Sequence, residues 1–208
     1  MRPLTLNNPK PLLIFSGKTL LDHTFDSLPS EVDEALVVVK YLGDKIKSYL
    51  GNEYKGRKIK YVDGSEKGNA SSFLACYPHL KNEGRFLVIH GDEPQRKEEI
   101  EECLRHPYSC VCAEFEESKL SGVAIIGKDG RILEIAEKPE NPKSRFVAMG
   151  TMVVDKDIFN YKPVRHTSGE FYFSSMMDQF SRDHHVQMVS GKVRPRFDSL
   201  DDLNWEWV

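Results

Sequence analysis

The sequence has few cysteines and no long apolar run. Its four cysteines form no Cys-x-x-Cys pair, and Cys110 and Cys112 alternate in an apolar stretch that is typical of a strand. We therefore expect buried, reduced thiols in a cytoplasmic protein rather than a disulfide or a zinc site. No apolar run approaches the roughly 20 residues that cross a bilayer, and the first residues lack the apolar centre of a secretory signal. A membrane partner is accordingly not expected.

An excess of charge of one sign is also missing. The 208 residues carry 29 Lys and Arg against 32 Asp and Glu, a formal net charge of −3. Proteins that bind nucleic acid through its phosphates need clustered basic residues, so no nucleic-acid partner is expected. Any phosphate that this protein binds must be held by a few well-placed cations.

No repeat, low-complexity tract or linker divides the chain, so we predict a single domain over residues 1–208. Strand-like runs alternate with helical patterns, and an Asp-Gly turn at 128–130 between two alternating runs predicts a hairpin. The predicted strands are 35–39, 58–62, 86–90, 109–115, 122–127, 131–136, 148–154 and 186–190, and the predicted helices are 20–28, 44–50, 69–80, 98–104, 171–180 and a short one from 201. This order predicts an α/β fold of three layers, with a mixed, mostly parallel, Rossmann-like sheet.

Five motifs follow one another along the chain. They are Arg2-Pro3-Leu4-Thr5 with Pro9-Lys10-Pro11-Leu12-Leu13 and Gly17-Lys18, then His90-Gly91-Asp92, Glu137-Lys138-Pro139, Gly150-Thr151-Met152 with Asp155, and Phe197 to Leu203. In this order they resemble the sugar-1-phosphate nucleotidyltransferases over nearly the whole chain. The resemblance implies an enzyme that joins a nucleoside triphosphate to a sugar 1-phosphate, giving an NDP-sugar and pyrophosphate.

The resemblance also implies a catalytic centre of one lysine and two aspartates. Asp92 and Asp198 match the family residues that hold Mg²⁺, and Lys10 matches a lysine that contacts the phosphates. Asp92 follows an apolar strand, where open α/β sheets place their ligands. Two carboxylates that are distant in sequence suit one hard cation, although either aspartate could instead cap a helix or turn. Residues 93–95 depart from the family pattern, as do the residues around Asp198.

The resemblance also implies a set of residues that bind the substrates. In the family, the counterpart of Glu137 bonds the sugar hydroxyls and that of Lys138 bonds the sugar phosphate, although an exposed turn pair would look the same. The residues before Gly68 depart from the family's base-contacting turn, so the sequence does not indicate which nucleotide base is bound. The residues that match substrate-binding positions are Gly68, Gly122, Glu137, Lys138, Gly150 and Glu170.

The 208 residues contain no counterpart of the family's central strand and glycine-rich loop, roughly LAAGxGTR. Backbone N–H groups of such a loop cradle the triphosphate. The strands beside the absent one are expected to leave backbone groups unpaired. Three explanations stay open: residues upstream of Met1, a shortened and inactive relative that binds sugar phosphate as a regulatory module, or a strand from a partner chain. A homo-oligomer also stays open.

A different function class would rest on the triplet Asp155-Lys156-Asp157. Glycosyltransferases use a DxD triplet to hold a metal ion. Here the triplet follows an apolar strand, at the position of a plain turn in the family that the chain resembles. We therefore predict a turn.

Overall fold

The computed structural model describes residues 4–116, 118, 121–195, 197, 199 and 201–205. The strands among them are β1 (Ile14–Phe15), β2 (Lys18–Thr19), β3 (Glu34–Val39), β4 (Glu53–Tyr54), β5 (Arg57–Asp63), β6 (Arg85–Ile89), β7 (Ser109–Glu114), β8 (Gly122–Ile126), β9 (Ile132–Glu137), β10 (Phe146–Asp155) and β11 (Gln187–Ser190). The α-helices are α1 (Leu20–Ser27), α2 (Gly43–Leu50), α3 (Asn69–Leu74), α4 (Tyr77–Leu80), α5 (Lys97–Leu104) and α6 (Ser174–Asp183). Short 3₁₀ helices are Leu4–Leu6, Lys10–Leu12, Lys156–Asn160 and Asp201–Asn204.

The chain divides into two compact units. The first contains the described residues of Met1–Asp63, His90–Ile100 and Arg194–Val208. The second contains those of Gly64–Ile89 and Glu101–Val193. Each unit has its own sheet, and the prediction of one domain over the whole chain stays a prediction.

The first unit is built on a small sheet in the order β3-β5-β4. β3 and β5 are parallel, and β4 pairs with β5 in an antiparallel hairpin. α1 begins at a capping box, in which Thr19 and Asp22 exchange hydrogen bonds. Asp22 also accepts hydrogen bonds from the hydroxyls of Tyr49 and Tyr54. Burial acts to raise the pKa of Asp22, but the hydrogen bonds from Tyr54, Tyr49 and Thr19 outweigh it and lower that pKa well below its usual range.

The second unit is built on a six-stranded mixed sheet around β10. β6, β7 and β8 are antiparallel to β10, and β11 is parallel to β7. Side chains alternate between the two faces of a strand, and β7 follows this rule. Cys110 and Cys112 join the core cluster that contains Phe180 of α6, whereas Val111 packs in the other cluster with Cys103 of α5. All four cysteines are buried, as expected, and none of them forms a disulfide.

The predicted α/β class with a mixed sheet is confirmed, but the expectation of mostly parallel pairing is wrong for the described strands. Only β3 with β5 and β7 with β11 pair in parallel there. The ladders of the larger sheet are otherwise antiparallel, because β8 and β9 form the predicted hairpin and β10 runs antiparallel to β6, β7 and β8. Apolar periodicity reports burial, not strand direction, so the sequence pattern could not reveal this.

Two predicted helices differ from those in the structure. The helix predicted over 69–80 breaks after Leu74, and a new one starts at Tyr77 with Pro78 in its first turn. Proline has no N–H to donate and is tolerated only in the first turn of a helix. The helix predicted over 171–180 begins three residues late, because Phe171 pairs with Arg165 and its N–H donates to the carbonyl of Lys67.

The apolar strands β3 and β6 are less buried than their composition predicts. Most of their residues are half-buried, and Val38 is 36% exposed. Among the described residues, β3 pairs only with β5 and β6 only with β10. Each strand therefore has one ladder edge without a described strand partner.

Candidate active site

Lys10 and Asp92 form an ion pair in the first unit. The Lys10 Nζ lies 3.1 Å from the Asp92 Oδ2, and the two side chains are 23% and 46% exposed. Lys10 begins a 3₁₀ turn after Pro9, in which the N–H of Leu13 donates to the Lys10 carbonyl. Two of the three predicted catalytic residues, 82 positions apart in the sequence, are thus in contact.

The loop that follows Asp92 is anchored by a buried arginine. Arg194 is 1% exposed, and its Nη1 donates to the Pro94 carbonyl at 3.0 Å. Its Nη2 lies 2.6 Å from Glu99 Oε2. The Ser27 hydroxyl donates to the carbonyl of Gln95 at 2.8 Å. The unusual sequence of residues 93–95 therefore forms a loop that is held at several points.

Asp198, the third predicted catalytic residue, lies outside the described residues. Phe197, which precedes it in the sequence, is fully buried and packs edge-on against Phe15, with ring centroids 5.0 Å apart.

Glu137 and Lys138 stand at the end of β9 in the second unit. Lys138 has φ of +42°, a left-handed conformation that non-glycine residues rarely adopt. Such strain persists only where the surrounding structure enforces it, and it clusters at functional sites. The N–H of Lys138 donates to the Ser121 carbonyl at 2.9 Å, and Glu137 Oε2 accepts a hydrogen bond from the Ser174 hydroxyl at 2.6 Å.

Tyr172 joins Lys138 to Glu170. The Lys138 Nζ donates to the Tyr172 hydroxyl at 2.8 Å and lies 4.3 Å from the centre of its ring. The same hydroxyl donates to Glu170 Oε2 at 2.5 Å. Burial acts to lower the pKa of Lys138, but the hydrogen bond to Tyr172 and the charges of Glu137 and Glu170 raise it. Lys138 therefore stays cationic at neutral pH.

Two of the predicted glycines lie beside these groups. Gly122 pairs with Glu137 across the hairpin, and a Cβ at position 122 would lie 3.3 Å from Glu137 Oε2. Gly68 has φ of +112°, and a Cβ there would lie 2.4 Å from the Phe171 carbonyl oxygen. The conformation and close packing at Gly68 require glycine for structural reasons, whatever it binds.

Gly150 lies buried in β10, away from a strand end. The register between β10 and β7 shifts between Ala148 and Met152, so Gly150 sits within a β-bulge or irregularity. Bulges re-aim neighbouring groups and are frequent near active sites.

The triplet at 155–157 forms a turn, as predicted. Asp155 Oδ1 accepts a hydrogen bond from the N–H of Asp157 at 2.9 Å, which caps the 3₁₀ helix Lys156–Asn160. Its Oδ2 accepts one from Tyr108 at 2.6 Å. Both carboxylate oxygens of Asp155 are thus used within the protein fold.

A cation that is shared with a substrate fits the first unit better than a fully protein-bound one. Among the described residues, no three His, Cys, Asp or Glu side chains are grouped as metal ligands. Mg²⁺ in nucleotide sites is usually held by one or two carboxylates together with substrate phosphates and water. Asp92 offers a half-exposed carboxylate of this kind.

Sequence reasoning missed three side chains that shape these sites: Tyr172, Ser174 and Arg194. The first two follow Glu170 by two and four positions, but nothing in their spacing distinguishes them from core residues. Arg194 resembles any surface arginine in the sequence, because its partner Glu99 is 95 positions away. As for membranes, none of the described helices combines the length and apolarity that a membrane crossing requires.

Comparisons with known proteins agree with the motifs. Residues 1–191 match the sequence model of the family described as Nucleotidyl transferase. The Bifunctional protein GlmU of Methanocaldococcus jannaschii is 35% identical over 160 residues, which cover 76% of this chain and 38% of that protein. The UTP–glucose-1-phosphate uridylyltransferase AglF of Haloferax volcanii is 29% identical over 193 residues, which cover 88% of this chain and 79% of that protein.

Solved structures share the fold. A structure of UDP-glucose pyrophosphorylase complexed with UDP-glucose superposes with a TM-score of 0.81 at 17% identity, covering 98% of this chain and 90% of that one. The chain spans less than half the length of the GlmU relatives that it matches. With a family match over residues 1–191, the chain belongs to the Nucleotidyl transferase family.

Proposed function

We propose that this protein transfers a nucleoside monophosphate from a nucleoside triphosphate to a sugar 1-phosphate. A phosphate oxygen of the sugar 1-phosphate attacks the α-phosphorus, the bond to the β-phosphate breaks, and NDP-sugar and pyrophosphate form. The observation that carries the proposal is the family match over residues 1–191, which contains every predicted site residue except Asp198.

Residues of the second unit are proposed to bind the sugar 1-phosphate. Glu137 presents a carboxylate for sugar hydroxyls, and Ser174 orients it by a 2.6 Å hydrogen bond. Lys138 supplies a cation for the sugar phosphate, and Tyr172 holds its ammonium in place. Gly122 leaves space beside the Glu137 carboxylate that any side chain would fill.

Residues of the first unit are proposed to bind the triphosphate. Lys10 would neutralise charge on the triphosphate, and Asp92 would hold Mg²⁺ together with substrate phosphates. The bound cation would stabilise the charge that develops on the phosphate oxygens. The proposed reaction joins two polyanions, so positioning and charge neutralisation supply most of the rate acceleration.

A second candidate is a non-catalytic module that binds sugar phosphate. It is favoured by the hydrogen bonds that join Lys138, Tyr172 and Glu170, and by the one between Ser174 and Glu137.

Pyrophosphate release separates the two candidates. The chain is assayed with each common nucleoside triphosphate in combination with a panel of sugar 1-phosphates and Mg²⁺. Release that depends on both substrates and is lost in Asp92→Asn supports the transferase. Binding of a sugar 1-phosphate by calorimetry without release supports the module, and neither binding nor release refutes both.

A further inference from the structure

The ion pair between Lys10 and Asp92 occupies the carboxylate that the proposed function assigns to the cation. The Lys10 ammonium lies 3.1 Å from Asp92 Oδ2, the distance of a direct charged hydrogen bond. An ammonium and a divalent cation repel each other, and both need the same negative oxygens. They therefore compete for Asp92 while Lys10 keeps this position.

Both partners are attached to held backbone, so the contact is built into the fold. Lys10 begins a 3₁₀ turn, and the preceding residue, Pro9, has a ring-restricted φ of −65°. In addition, the side-chain amide of Asn8 donates to the Leu12 carbonyl at 3.1 Å. On the other side, Arg194 holds the Pro94 carbonyl two residues beyond Asp92. The pair is therefore expected to separate by side-chain movement rather than by movement of the backbone.

We propose that Lys10 is a resident counter-ion of Asp92 that yields its place when a triphosphate binds. Without nucleotide, the ammonium satisfies the carboxylate and keeps divalent cations weakly bound. Nucleotide phosphates attract the ammonium and free the carboxylate, so the cation and the nucleotide bind cooperatively. This inference rests on the proposed function, because it takes Asp92 as the cation ligand of that site.

Direct binding of Mn²⁺, measured by electron paramagnetic resonance without any substrate, tests the inference on the full chain. We compare the wild type with Lys10→Gln, Lys10→Arg and Asp92→Asn. Lys60→Gln is the matched control, because Lys60 pairs with Glu34 in the same unit, at 2.8 Å, and the substitution removes the same charge. Circular dichroism shows whether each variant is folded.

The variants should separate as follows. Lys10→Gln should bind Mn²⁺ about fivefold more tightly than the wild type, as expected for removing a partly exposed pair worth about 1 kcal/mol. Lys10→Arg and Lys60→Gln should resemble the wild type, because the first keeps the cation and the second lies elsewhere. With a saturating triphosphate, Lys10→Gln should bind Mn²⁺ less tightly than the wild type, because it then lacks the lysine that binds the phosphates.

Other results overturn the inference. It fails if Lys10→Gln leaves Mn²⁺ affinity unchanged or lowers it, if Lys60→Gln raises it equally, or if Asp92→Asn does not weaken it. These binding results do not depend on turnover. An enzyme that releases pyrophosphate while Lys10→Gln leaves Mn²⁺ binding unchanged would keep the proposed function and lose only the counter-ion role.

Discussion

The buried pair of Arg194 and Glu99 offers a quantitative test of how the loop after Asp92 is held. The Arg194 side chain is fully buried, and that of Glu99 is 7% exposed. Replacing Arg194 by methionine removes the guanidinium from the carboxylate and from the Pro94 carbonyl. Breaking a buried ion pair by removing one partner costs about 3–5 kcal/mol, because the remaining charge loses its counter-charge in a low-dielectric environment.

We therefore expect Arg194→Met to lower the free energy of unfolding by about 3–5 kcal/mol. The control is the double variant Arg194→Met/Glu99→Leu, which removes both charges and keeps apolar volume. Apolar replacement of a whole buried pair is often neutral, so the double variant should be more stable than Arg194→Met. Urea denaturation followed by circular dichroism gives the midpoint and slope for each protein.

Two results would refute this reasoning. One is a loss below about 1 kcal/mol for Arg194→Met, which is the effect of an ordinary exposed ion pair. The other is a double variant less stable than Arg194→Met, which would show that the Glu99 charge is not left uncompensated by the single substitution.

Three further outcomes are expected. Gly68→Ala should destabilise the protein by about 2–4 kcal/mol in urea denaturation, since the added methyl would lie 2.4 Å from the Phe171 carbonyl at a left-handed φ. Asp22→Asn should cost about 2 kcal/mol at neutral pH. Because folding lowers the pKa of Asp22 below its usual 3.8, this difference should be constant above that pH and shrink as the pH falls below it. Tyr172→Phe should raise the KM for sugar 1-phosphate about fivefold with less effect on kcat, because Lys138 loses the hydroxyl that positions it.

Local sequence patterns predicted most element positions because they depend on neighbours in the chain. The helix predicted over 44–50 forms as α2, which ends at Leu50 before Gly51, a residue with φ of +64°. The turn at 128–130 joins β8 and β9 as a hairpin. The errors occur where distant groups intervene: the late start of α6 follows from the contacts of Phe171 with Lys67 and Arg165.

The sequence by itself determined the family, the α/β class and the identity of the motif residues, because these depend only on residue types and their order along the chain. Only the tertiary structure decided which of them meet. Lys10 lies against Asp92 and Lys138 reaches Glu170 through Tyr172, while Arg194 is buried with Glu99. The physical reason is that hydrophobic periodicity records whether a residue is buried. Charge pairing depends on which strands and loops are brought together, and a one-dimensional pattern does not contain that information.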